Sequence, residues 1–226
     1  MKKKYLEIVH KSHLFQNMTM DETENICTTL NNKINQFKKG ETLFDEGDHC
    51  ESLGIILEGK VELSTYFISG DVSNLITMGP GDIFGEAVLF SPKDDYPVSI
   101  TGVTATQVLL IDKKTLIETM ETHPIFLENY LNILSRKLLF LNDKFKLLSL
   151  STIRGKIAHV LIKLSKEQDS LTVKLPFSKE KMALHICTRR PSLSRELSKM
   201  KHDGLIDYEK STVKILDFDA LADELF

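Results

Sequence analysis

The chain has almost none of the features that mark catalysis, secretion or membrane insertion. Its 226 residues include three cysteines, Cys27, Cys50 and Cys187. They lie far apart and are odd in number, so neither a disulfide framework nor a CxxC metal pair can be drawn from them, and a reducing compartment is implied. No uninterrupted apolar stretch approaches the roughly 18 residues of a membrane span. The N-terminal lysines have no apolar segment behind them, so no secretory leader, no membrane partner and a cytoplasmic location are expected. The histidines, His10, His13, His49, His123, His159, His185 and His202, are dispersed, and no His-x-His occurs in a strand-like run. A metal-dependent enzyme on a β-barrel needs two or three histidines and a carboxylate at ligand spacing. No nucleophile elbow or phosphate-binding loop is present either. No catalytic residue, metal or cofactor is expected, and the chain is not expected to be an enzyme.

Charge is unevenly placed. The formal net charge is -3, but residues 1–148 carry 15 Lys and Arg against 21 Asp and Glu, whereas residues 149–214 carry 14 against 7. A basic block confined to one segment is the electrostatic footprint of a nucleic-acid contact.

Glycine divides the chain into zones, nine of the eleven falling between Gly40 and Gly102. In that window, runs starting at Leu53, Lys60, Asn74, Val98 and Gln107 read as short strands. They are separated by the turns Glu58-Gly59, Ser69-Gly70-Asp71 and Gly79-Pro80-Gly81-Asp82, a pattern that predicts an antiparallel barrel or jelly roll. Asp21 to Leu30 before it reads as a helix. Pro124 then opens a stretch free of Gly and Pro until Gly155. Within it, Leu127, Leu131, Leu134, Leu138, Leu141, Phe145 and Leu148 recur at alternating spacings of four and three, a heptad seam on one helix about 37 Å long. A second apolar set, Tyr130, Ile133, Leu139 and Phe140, flanks it. The expectation is that this second face packs on the barrel and that the seam pairs with a second copy of the chain.

The third zone holds an amphipathic helix from Ile153 to Leu164 and a strand at Leu171. A helix N-capped by Ser178, a break at Cys187-Thr-Arg-Arg and a helix from Pro191 to His202 follow, with Asp203-Gly204 ending the second helix. Two strands starting at Leu205 and Val213 form a wing. Two short helices across a tight turn, followed by a wing, make a winged helix-turn-helix.

These motifs in this order resemble the CRP/FNR family, the relatives of the catabolite activator protein and the fumarate–nitrate regulator. The resemblance is carried by Lys39-Gly-Glu-Thr-Leu-Phe-Asp-Glu-Gly-Asp48, Ile55-Ile-Leu-Glu-Gly-Lys-Val61 and Gly79-Pro-Gly-Asp-Ile-Phe-Gly-Glu86. In the C-terminal part it is carried by Arg154-Gly-Lys-Ile-Ala158, Ser178-Lys-Glu-Lys-Met-Ala183, Arg190-Pro-Ser-Leu-Ser-Arg195 and Gly204-Leu-Ile206. It implies an α+β architecture with an effector-sensing jelly roll of the cyclic-nucleotide-binding type over 1–122. A dimerisation helix over 123–150 and a winged helix-turn-helix over 151–226 would complete it. The implied function is that of a dimeric transcription regulator on a palindromic operator.

The resemblance assigns base contacts to Arg190 and Arg195, and Ser178, Lys179, Arg189, Ser192 and Lys199 are placed for phosphates. Family members often have Glu after the first of these arginines; here Pro191 stands there, and it reads no base. In the sensing domain, Gly85-Glu86 matches the pair that meets the ribose of cyclic AMP. The Arg-Ser or Arg-Thr pair that grips its phosphate is replaced by Tyr96-Pro97, and the nearest cation along the sequence is Lys93. The Thr-Ser pair that reaches the adenine becomes Leu141 and Asn142. A buried phosphate without a charged partner is costly, so the expectation is an unknown small, apolar or aromatic effector other than cyclic AMP, or no effector at all. Glu86, Tyr96, Tyr130, Leu141 and Asn142 are the candidate effector contacts. The iron–sulfur sensors of the family need four thiolates, which this chain lacks. His49 reads as a solvated loop residue, and Cys50 and Cys187 as structural. Activation of transcription would further require a surface for RNA polymerase, near Lys166 to Ser170 or on the barrel.

Overall fold

The computed structural model describes residues 1–29, 33–66 and 72–225. Leu30, Phe67, Ile68 and the turn Ser69-Gly70-Asp71 lie outside the described residues. The chain divides into two compact units, Met1–Lys137 and Leu138–Phe226.

The first unit opens with α1 (Lys3–Lys11), a 3-10 turn at His13–Phe15 and α2 (Met20–Thr29). Helix α1 buries Tyr5, Leu6 and Val9 on one stripe. A capping box starts α2: the Thr19 hydroxyl accepts from the Glu22 N–H at 3.2 Å, and Glu22 accepts from the Thr19 N–H at 2.7 Å. Eight strands follow: β1 (Lys33–Phe37), β2 (Thr42–Phe44), β3 (Ser52–Glu58), β4 (Val61–Tyr66), β5 (Val72–Met78), β6 (Ile83–Phe84), β7 (Ser99–Gly102) and β8 (Thr106–Asp112). They form two four-stranded antiparallel sheets, ordered β1-β8-β3-β6 and β2-β7-β4-β5. The sheets are open, which corrects the expectation of a closed barrel and leaves the jelly-roll form. Strand β3 buries Leu53 to Leu57 without alternation, as a strand covered on both faces does. The sequence pattern missed β1, β2 and the helix α1, which are short or carry polar residues on the exposed side.

One local device recurs three times. Lys38-Lys39-Gly40-Glu41, Asp45-Glu46-Gly47-Asp48 and Gly79-Pro80-Gly81-Asp82 each close with the fourth N–H donating to the first carbonyl. The third residue is a glycine with φ between +79° and +92°. The fourth is an acid whose carboxylate accepts from the first residue's N–H at 2.7 to 2.8 Å. A positive φ at the third position is the requirement of a type II turn, met by glycine without strain. Most of the sequence motif shared with the family in this region is thus turn chemistry.

Helix α3 (Lys113–Thr122) is N-capped by Asp112, and α4 (Pro124–Ser149) follows. Phe126, Tyr130 and Ile133 of α4 are buried in the core of the first unit, Phe126 edge-on to Phe15 at 5.3 Å. The Asn129 amide donates to the carbonyls of Leu14 and Gln16 at 3.1 and 2.6 Å. Leu139 and Phe140 are 67% and 57% exposed. This corrects the expectation that they belong to the face packed on the sheets: that face ends at the turn holding Lys137.

The second unit holds the remainder of α4, α5 (Ile153–Gln168), β9 (Thr172–Lys174), α6 (Lys179–His185) and α7 (Arg190–His202). A sheet ordered β10-β11-β9 (β10 Ile206–Glu209, β11 Thr212–Ile215) and a terminal α8 (Phe218–Asp223) complete it. Arg154 ties three segments together: Nε to Glu196 at 2.7 Å, Nη2 to Asp203 at 2.6 Å and Nη1 to Glu224 at 3.3 Å. These bonds keep the guanidinium charged and hold the Asp203 carboxyl below its ordinary value.

Helices α6 and α7 both end in Schellman motifs. After α6, the Thr188 N–H reaches Ala183 O at 2.8 Å and the Cys187 N–H reaches Leu184 O at 3.1 Å; after α7, Leu205 reaches Met200 and Gly204 reaches Lys201. The left-handed position is Gly204 in the second case and Cys187, at φ +54°, in the first.

Two tests follow from the left-handed positions. Gly47 has open space where a Cβ would stand, so Gly47→Ala carries conformational strain alone, expected at about 1–2 kcal/mol. Gly47→Asn should cost less, because Asn visits this region more readily. Cys187→Gly should stabilise the second unit by about 1 kcal/mol. Thermal unfolding of each variant reads the effect; a neutral Gly47→Ala would refute the turn analysis.

Candidate nucleic-acid interface and effector cavity

Helix α7 buries Leu193, Leu197 and Met200 on its inner stripe. That packing turns Arg190 and Arg195, five residues apart, outward with Arg189 just before the helix; all three are exposed. Among the described residues none of the three makes an ion pair, while Arg154 satisfies the neighbouring Glu196. Pro191 sits in the first turn, where a missing N–H leaves no bond unmade.

The supporting residues are held as follows. Ser178 N-caps α6, accepting from the Lys181 N–H at 3.3 Å. Lys179 lies over the Tyr208 ring of the wing at 4.3 Å, a cation–π contact that fixes its stem. Ser192 is half-buried, and exposed Lys199 stands 4.0 Å from Glu196. Lys144 Nζ donates to the His185 carbonyl and so caps the last turn of α6. Burial, then the Lys144 charge, push the His185 imidazole below its ordinary value. Asp143 accepts from Lys163 at 2.6 Å and lies 3.2 Å from His159. Burial pushes its carboxyl up, but these partners outweigh it and hold the value low. The sequence reading missed Asp143, Lys144 and the role of Arg154, because each depends on a partner distant in the chain.

In the first unit a cavity of about 340 Å³ lies between the β4–β5 hairpin and the Gly85–Val88 turn. Of the five candidate effector residues, Glu86 and Tyr96 line it, and both are buried. Tyr130 acts behind the wall, its hydroxyl donating to the Glu86 carbonyl at 2.7 Å. Leu141 and Asn142 belong to the second unit and are exposed. Lys137, absent from the sequence reading, does line it and pairs with the Glu86 carboxylate. The signal was there: Tyr130, Ile133 and Lys137 are spaced to share one face of α4. Lys93, the nearest cation in sequence, lines an adjoining concavity that shares Ala87, Val88, Tyr96 and Pro97 with the cavity.

Glu86 Oε2 and the Tyr96 hydroxyl are buried without a hydrogen-bond partner. The Cys50 thiol neighbours that hydroxyl, and burial, then that thiol, push the phenol well above its usual value. Burial likewise pushes the Cys50 thiol up, and the Cys27 thiol up to about 12, which disfavours the thiolate at both. His49, exposed, stands 3.0 and 3.2 Å from the half-buried Asp94 and Asp95, a group of metal-ligating residue types that the sequence spacing did not reveal. Among the described residues no helix is long and apolar enough to cross a membrane.

Residues 34–123 match the family model for the cyclic nucleotide-binding domain, and residues 155–224 match that for the Crp-like helix-turn-helix domain. A CRP-like cAMP-activated global transcriptional regulator from Mycobacterium tuberculosis is 29% identical, over 82% of this chain and 85% of that protein. The cyclic AMP receptor protein of Thermus thermophilus is 24% identical over 95% and 96%. The crystal structure of the Thermus thermophilus catabolite activator protein superposes with a TM-score of 0.57, covering 95% of this chain and 99% of that one at 23% identity. With both domains matched in order, and exposed arginines on the second helix of the helix-turn-helix, the chain belongs to the CRP/FNR family of DNA-binding transcriptional regulators.

Proposed function

We propose that the chain acts in the cytoplasm as a homodimer that reads an inverted-repeat operator and responds to an effector other than cyclic AMP. The observation that carries the DNA reading is the outward, unpaired pair Arg190 and Arg195 on the first two turns of α7. Guanidinium donates bidentately to guanine O6 and N7, worth about 1–3 kcal/mol of discrimination per contact. Ser178, Lys179, Arg189, Ser192 and Lys199 surround them and suit phosphates, which position the helix without reading sequence. Pro191 contributes no base contact, so the half-site keeps a guanine and departs from the usual family consensus.

Dimerisation is supported by the seam. Leu131, Leu138, Leu141 and Phe145 are 52%, 68%, 62% and 71% exposed in the single chain, a contiguous apolar stripe of the kind that marks an interface. A two-fold dimer places two α7 helices against half-sites about one helical turn apart. The exposed end of α5 near Lys166 to Ser170 remains the place proposed for RNA polymerase.

The named relatives are described as cAMP-activated or as a cyclic AMP receptor protein. This cavity differs in charge. Among the described residues lining it, Lys137 is the cation, and Glu86 already engages it. A phosphate would have to break that pair and leave Glu86 buried beside a second negative charge.

Four measurements test the reading. Electrophoretic shifts on genomic fragments at two salt concentrations should show affinity falling steeply with salt, by a log–log slope of about -0.9 per phosphate contacted. Arg190→Ala with Arg195→Ala should abolish preference among fragments, while Arg189→Ala should weaken all fragments alike and reduce the slope by about 1. Sedimentation equilibrium at micromolar concentration should give twice the chain mass, and Leu138→Glu with Phe145→Glu should give the monomer. Millimolar cyclic AMP should leave the affinity for DNA unchanged. Unchanged fragment preference in the double arginine variant would refute the DNA reading, and a monomeric wild type would refute the dimer.

A further inference from the structure

The reading of the cavity as an effector site that excludes cyclic AMP underlies this inference, which concerns the class of molecule it takes. Its volume, about 340 Å³, is at the small end of small-molecule sites. Leu63, Met78, Phe84, Val88 and Ile100 supply apolar walls. Among the described residues the charges on the lining are Lys137, Glu86 and, at the exposed rim, Asp82, whose carboxylate is occupied by the Gly79 N–H. Lys137 and Glu86 cancel, so no cation is spare to receive an anion. An ammonium would be desolvated against apolar walls in competition with Lys137 for the same carboxylate.

Two polar atoms of the lining residues Glu86 and Tyr96 are unspent. Glu86 Oε2 can only accept, and the Tyr96 hydroxyl can donate and accept; both are buried, and neither has a hydrogen-bond partner. Buried polar atoms are ordinarily paired, so such exceptions point to a missing partner. A ligand hydroxyl serves both at once, donating to the carboxylate oxygen and accepting from the phenol, without disturbing the bond between Lys137 and Glu86. We propose that the cavity binds an uncharged, largely apolar small molecule bearing a hydroxyl group, recognised by Glu86 Oε2 and the Tyr96 hydroxyl. The Glu86 backbone is held for this by Tyr130 and its other carboxylate oxygen by Lys137. Both come from α4, which continues into the apolar seam, so an occupant of the cavity touches the residue that α4 grips.

The test is calorimetric titration of the full-length chain at pH 7 with five probes. Four share one ring system: 2-naphthylmethanol, 2-methylnaphthalene, 2-naphthoate and 2-naphthylmethylammonium; the fifth is cyclic AMP. The alcohol should bind about tenfold more tightly than the hydrocarbon, as one hydrogen bond to a charged acceptor gives, and more tightly than either ion. Tyr96→Phe should weaken the alcohol several-fold and leave the hydrocarbon unchanged. Glu86→Leu should make the two equal. Tighter binding of an ionic probe, equal binding of alcohol and hydrocarbon by the wild type, or no binding of the alcohol at millimolar concentration overturns the proposal. Because Tyr96→Phe removes one oxygen atom, it keeps the test decisive if Glu86→Leu does not fold. Shift assays on the same preparations separate the levels. Intact DNA binding with a failed alcohol overturns the ligand class alone, and preferential binding of cyclic AMP overturns the effector reading on which it rests.

Discussion

Burial of one stripe of α4, with Phe126, Tyr130 and Ile133 set into the core of the first unit, is the constraint on which the rest depends. A helix has a single phase, so fixing three residues fixes the direction of every residue after them. It brings Tyr130 to the Glu86 carbonyl and Lys137, one turn beyond Ile133, to the Glu86 carboxylate. Past Lys137, Leu138, Leu139 and Leu141 stand exposed on the same helix, while Leu147 is buried in the core of the second unit. The wall of the cavity and the apolar seam therefore share one continuous element, Pro124–Ser149.

The winged unit solves a different problem. Its basic residues must stay outside while a small core holds α7 still. Arg154 does the holding: by engaging Glu196, Asp203 and Glu224 it neutralises acids near α7, and among the described residues the side chains of Arg189, Arg190 and Arg195 make no ion pair. Gly155 follows for a steric reason, since a Cβ there would lie 2.7 Å from the Glu224 carbonyl. Family resemblance at Arg154-Gly155 thus reflects construction, whereas resemblance at Arg190 and Arg195 reflects the surface presented.

Much of this was legible beforehand. The strands starting at Leu53, Asn74, Val98 and Gln107, the helix beginning at Pro124 and the two helices flanking Cys187 were placed by periodicity and breakers, because those signals are local. The short β2, the polar-faced β1 and α8 gave too few residues for a period to emerge. Leu139 and Phe140 misled for a related reason: composition says that they are apolar, but only the length of the sheets decides where coverage of α4 stops. In the cavity, the missing phosphate-gripping arginine was visible in the sequence, and so was the helix face that Lys137 shares with Tyr130 and Ile133, but its pairing with Glu86, 51 residues away along the chain, was not.

The sequence by itself determined the order of elements, the type II turns written as Gly followed by Asp or Glu, the basic segment and the arginines of the recognition helix. Each depends on neighbours within a few residues, where backbone geometry and helical period are fixed. Only the tertiary structure decided which charges are spent and which are free. Arg154 and Lys137 are consumed by carboxylates and Arg190 and Arg195 are not, because ion pairing depends on distances between segments that local propensity does not encode.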